Sequence, residues 1–97
     1  MSIYATIDDN DPEFFSSNNG WKDVSEWADS LNVDQFGDVV HLTEHGYVDD
    51  AGKLQLQLQS AVKQSPPPPE VGATVLELIE LLDGESGEVI VTSGMEE

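Results

Sequence analysis

Four consecutive prolines, Pro66 to Pro69, run directly into a periodic apolar stretch, so that residues 66–84 read PPPPEVGATVLELIELLDG. Proline has no backbone donor and fixes φ at about −65°, so such a run is excluded from a helix interior and forms a stiff, extended spacer. Val71, Val75, Leu78, Ile79 and Leu82 follow at i, i+4, i+7, i+8 and i+11, which is one stripe of an α-helix. Leu76 and Leu81 lie off that stripe and widen the apolar arc, and Gly84 stands where a helix C-cap glycine belongs. The pattern predicts a helix over 71–82 as the central column of the core. Its wide arc predicts contact with a sheet on one side and a second helix on the other. With helices close on both sides, the prolines predict a rigid connection rather than a ligand for an SH3-like or WW-like groove.

The rest of the chain supplies partners for that column. Ile3, Ala5 and Ile7 alternate with Tyr4 and Thr6, a short strand ended by the turn-forming DDNDP of residues 8–12. At least one of Phe14 and Phe15 is expected in the core, with SSNNG at 16–20 as a loop. Trp21, Val24, Trp27, Ala28 and Leu31 form a helical stripe carrying both tryptophans, opposite a polar face of Lys22, Asp23, Ser25, Glu26 and Asp29. Such tryptophans are core or rim residues more often than partner anchors. Asn32 or Asp34 can cap a third segment from about Gln35 to His45, ending at Gly46. Residues 53–59, KLQLQLQ, alternate like a strand but contain no β-branched residue. Ala51, Leu54, Leu58, Ala61 and Val62 continue a helical stripe past them, which predicts a helix over 50–64 begun by Asp49 or Asp50. Glu88 to Thr92 (EVIVT) reads as a strand.

Two apolar strands at opposite ends of the chain most simply pair with each other and hold both ends in structure. The expected fold is α+β and mostly helical, one small acidic globular domain over 1–97, with about four helices and a two-stranded sheet. Its open sheet edges leave monomer and homodimer both admissible. Leu, Ile, Val and Phe make up 26 of the 97 residues, enough for a folded core despite the charge.

Charge is the dominant functional cue. Twenty acidic residues face three lysines (Lys22, Lys53, Lys63) and no arginine, for a net charge of −17. Nucleic acids and anionic membranes are therefore excluded as expected partners, because phosphate binding needs Lys and Arg. A field of this sign attracts a basic protein surface, and it also serves solubility or halotolerance. There is no cysteine, no basic and apolar leader at the N-terminus, and no apolar run of about 20 residues; a cytoplasmic protein is the expectation. An EF-hand begun at Asp9 would need Gly and Glu where Phe14 and Gly20 stand, so a calcium loop of that kind fails.

One segment matches an enzyme signature. His41-Leu42-Thr43-Glu44-His45 fits H-x-x-E-H, which resembles the zinc-binding motif of inverzincin metallopeptidases over five residues. On a helix His41 and His45 stand one turn apart, with Glu44 beside them. Those enzymes are much larger and draw a further acidic ligand from a distant helix. Two surface or half-buried histidines, with His45 near a helix C-terminus where a cation is favoured, is the simpler account. There is no nucleophile elbow, triad order, P-loop or cofactor motif, and the expectation is a non-enzyme without cofactor. The leading function is a small acidic interaction protein, such as an inhibitor or immunity-type protein, that binds a basic partner. Candidate contacts are Asp23, Glu26, Asp29, Asp34, Asp38, Asp49 and Asp50. The alternative is a non-catalytic structural or housekeeping module, acidic for solubility or halotolerance. A metal-dependent enzyme using His41, Glu44 and His45 comes third.

Overall fold

The computed structural model describes residues 2–8 and 10–93, and its element order is β1 (Ser2–Ile7), β2 (Glu13–Ser17), α1 (Asn18–Asp29), α2 (Gly37–His45), β3 (Tyr47–Val48), α3 (Ala51–Gln64), α4 (Pro69–Leu82) and β4 (Val89–Ser93). The fold is α+β, with helix outweighing strand. No helix among the described residues is long and apolar enough to cross a membrane.

The two outermost strands do pair, and they run antiparallel, with Ile3 opposite Ser93 and Ile7 opposite Val89. Ile3, Ala5, Ile7 and Val89 are buried on the inner face, while Tyr4, Thr6, Ile90 and Thr92 alternate to the outer one, as a pleated strand requires. The sheet is larger than the expected two strands: β2 adds to β1, the two-residue β3 adds to β4, and the order is β2-β1-β4-β3. Residues 13–17, EFFSS, do not alternate, and a bulge accompanies them. Ser16 lies opposite Ile3 and Phe14 opposite Tyr4, so Phe15 is the extra residue. SSNNG is consequently not a loop but the end of β2 and the first turn of α1. The expectations for the Phe14 and Phe15 side chains, and for the chain ends at residue 1 and 94–97, lie outside the described residues.

The helices follow their apolar stripes. In α1, Val24, Trp27 and Ala28 are buried, with Leu31 just beyond, and Trp21 packs on the edge of the core. The Trp27 indole Nε1–H donates to the Ser65 carbonyl at 2.8 Å, which ties α1 to the head of the proline run. Helix α3 settles the ambiguity of KLQLQLQ: Leu54 and Leu58 are buried and Leu56 is 65% exposed, a helical rather than a sheet-face pattern. Asp50 is its N-cap, accepting the Lys53 N–H at 3.1 Å. Helix α2 starts later than expected, and neither Asn32 nor Asp34 caps it. Asn32 Oδ1 accepts the Asp34 N–H at 2.8 Å in a turn of its own, while Gln57 Oε1 reaches across from α3 to accept the Asp38 N–H at 2.9 Å.

Helix α4 takes Pro69 as its first residue, so the extended spacer is Pro66–Pro68; at N1 the missing donor would have been unpaired in any case. Val71, Val75, Leu78 and Leu82 are fully buried between α1 and α3. The apolar arc is narrower than the sequence implies, because Leu76 is 57% exposed; Leu81 is half-buried, packs against the core and lines a groove shared with Ala5 and Ile7. Gly84 is not a simple cap. Asp83 (φ −63°, ψ 125°) and Gly84 (φ 75°) are the central pair of a type II turn closed by the Glu85 N–H on the Leu82 carbonyl at 3.0 Å.

Candidate functional site

The seven candidate carboxylates do not converge. Asp23 and Glu26, three residues apart on α1, face Glu70 of α4 across a groove of about 340 Å³ floored by Trp27, Pro68 and Val71. Asp38 and Asp49 line a second groove of about 280 Å³ with His41, Tyr47 and Val48. Asp29 and Asp34 are exposed and line none of these grooves, and Asp50 serves as a helix cap. A third groove, of about 420 Å³, was not foreseen: Asp11, Glu13 and Glu85 surround Ala5, Ile7, Asn10 and Leu81. Only the turn between β1 and β2 brings the first two carboxylates beside the C-terminal end of α4, so no sequence period signals it. Asn10 Nδ2 donates to Glu85 Oε1 across it at 3.2 Å.

The electrostatics of these grooves are one-sided. Among the described residues the only ion pair is His45 Nε2 with Glu44 Oε1 at 3.9 Å, on side chains that are more than half exposed, and no lysine answers a groove carboxylate. An exposed pair at that distance contributes little. In the second groove Asp38 Oδ2 is buried and accepts no hydrogen bond from the described residues, a placement that costs about 1–3 kcal/mol unless a donor reaches it. The Asp38 carboxylate gains some of this back from its place in the first turn of α2. At the rim Tyr47 donates its phenolic O–H to Glu88 Oε2 at 3.0 Å. That hydrogen bond, then partial desolvation, then the negative charges of Glu88 and Asp49, hold the Tyr47 pKa above its ordinary value near 10.

The H-x-x-E-H segment does lie on a helix, and its two rings do share a face, with centroids 4.7 Å apart. His41 is committed elsewhere: its Nδ1 lies 2.6 Å from the Tyr47 carbonyl, so Nδ1–H is the donor and only Nε2 keeps a lone pair. Among the described residues no group of three or more His, Asp or Glu side chains is placed to hold a metal ion. What the arrangement offers chemically is hydrogen-bond acceptors and negative charge, on walls fixed by helix packing. No family model, no curated protein and no solved structure matches this chain.

Proposed function

We propose that this chain is a small, non-catalytic acidic protein that binds a basic surface of a protein partner, in the manner of an inhibitor or immunity-type protein. The observation that carries the proposal is the set of carboxylate-lined grooves with no lysine in ion-pair reach among the described residues. Carboxylates without a cation at the rims of depressions favour ammonium or guanidinium groups arriving from outside, and a net charge of −17 speeds their approach. The test is calorimetry of the purified chain against individual basic proteins recovered on it from extract at about 50 mM salt. One-to-one binding that weakens steeply towards about 0.5 M salt is expected. Absence of saturable binding by any basic protein at low salt overturns the proposal.

A second reading, a structural or housekeeping module acidic for solubility or halotolerance, draws on carboxylates such as Asp29, Asp34 and Glu77, which are exposed and belong to no groove. It requires thermal stability to climb with molar salt and no salt-sensitive partner to exist.

A further inference from the structure

We infer that the groove between α1 and the start of α4 is the anchor point of that basic partner, and that its occupant is an arginine side chain flanked by apolar residues. The inference rests on the partner-binding proposal above and locates it. Of the acidic grooves this one presents the most apolar surface, with Trp27, Pro68 and Val71 as its floor and Asp23, Glu26 and Glu70 about it. An arginine is apolar along its stem and charged at its head, so floor and rim match the two halves of one side chain. Three carboxylates on two walls suit a planar fork of five N–H donors better than a compact ammonium. A volume of about 340 Å³ admits one such side chain with part of its neighbours.

The floor is fixed before anything binds. Trp27 is held by its 2.8 Å bond to Ser65, Pro68 immediately precedes the first turn of α4, and the Pro67 ring lies against Gly72 one turn further on. The floor has little freedom left to lose on binding, so the ordering cost falls on the exposed carboxylates alone. Two of the other acidic grooves are less open to a cation. Asn10 spans one, and in the other the unpaired Asp38 oxygen is itself buried from solvent.

The experiment uses the isotopically labelled whole chain and a blocked Leu-Arg-Leu-Arg-Leu peptide, followed by amide and indole NMR shifts at about 50 mM salt. Shifts at the Trp27 indole and the Glu70 and Val71 amides are expected. The triple variant Asp23→Asn, Glu26→Gln, Glu70→Gln should weaken binding by about tenfold or more. A control of equal charge change outside these grooves, Asp29→Asn, Asp34→Asn, Glu77→Gln, should weaken it less than about twofold. Citrulline in place of arginine should abolish binding, and lysine should weaken it. Equal losses from both triples overturn the groove while leaving the acidic-surface proposal intact. Absence of saturable peptide binding overturns the groove, and if basic proteins also fail in calorimetry the parent proposal falls with it.

Discussion

Replacing Gly46 with alanine asks a single methyl group to fit where helix α2 hands the chain to β3. Gly46 has φ 72° and ψ 21°, its N–H closes α2 on the Leu42 carbonyl, and its own carbonyl accepts the Val91 N–H at 2.8 Å. An L-residue held in this left-handed conformation costs about 1–2 kcal/mol. A Cβ would also lie 2.9 Å from the Val91 carbonyl oxygen, a backbone atom of the central strand β4 that cannot rotate aside. Relief means moving β4 away from Gly46 and weakening a hydrogen bond worth about 1 kcal/mol. The sum is about 2–3 kcal/mol. Gly84 provides the control, because it has φ 75° and nothing within 4 Å of the place a methyl group would take, so Gly84→Ala carries only the conformational cost. Alanine also stiffens the unfolded chain in both variants, and that gain cancels in the comparison. For a domain of this size Gly46→Ala should lower Tm by roughly 8–24 °C and Gly84→Ala by roughly 4–16 °C, about 4–8 °C less than Gly46→Ala. Urea unfolding followed by tryptophan fluorescence, with circular dichroism as a second probe, measures both. Equal losses at the two positions would refute the steric part of this account.

Three further outcomes can be checked on purified variants. Leu58→Ala should cost about 2–5 kcal/mol and Leu56→Ala no more than about 0.5 kcal/mol, since one leucine is buried and the other is in water; similar urea midpoints would mean α3 is rotated or not helical. Asp38→Ala removes the unpaired buried oxygen and introduces a better helix former, and should raise stability by about 1 kcal/mol; a loss instead would show that the interaction of Asp38 with the α2 N-terminus outweighs the burial cost. Tyr47 favours its protonated form in the folded state, so its contribution is fully present below about pH 10 and is lost as pH rises through the higher folded value. Glu88→Ala should move the tyrosinate absorbance titration to lower pH, and an unchanged curve would remove the Tyr47–Glu88 bond as the cause.

The parts of this fold that can be read from the sequence are those whose burial has a period. Val71, Val75, Leu78 and Leu82 in α4, Leu54 and Leu58 in α3, and Val24, Trp27 and Ala28 in α1 each repeat on one helical face, and all are buried. Leu76 misleads because hydrophobicity alone does not say whether a neighbour is present; it sits between buried Val75 and exposed Glu77 and faces water. Strand β2 is illegible because its bulge breaks the alternation, and β3 because two residues have no period at all. Asp23 and Glu26 can be placed together from spacing on one helix. Glu70 and Pro68 cannot be added to them, because only the packing of α1 on α4 brings those positions opposite one another. Asp50 is legible as a cap and is therefore a poor choice for a contact.

The central pairing of the sheet carries a consequence for how the molecule is made. Strands β1 and β4 occupy the two inner places, yet they are residues 2–7 and 89–93 of the sequence. During synthesis β1 and β2 can form a ribbon early, but the neighbour that covers the other side of β1 is absent until all four helices have been translated. Closure over such a separation is entropically slow. Until then β1 presents an unpaired edge beside the alternating Ile3, Ala5 and Ile7, which is the moment at which the nascent chain is most open to strand addition from a neighbour. The heavy negative charge then has a second use, holding incomplete chains apart until β4 arrives.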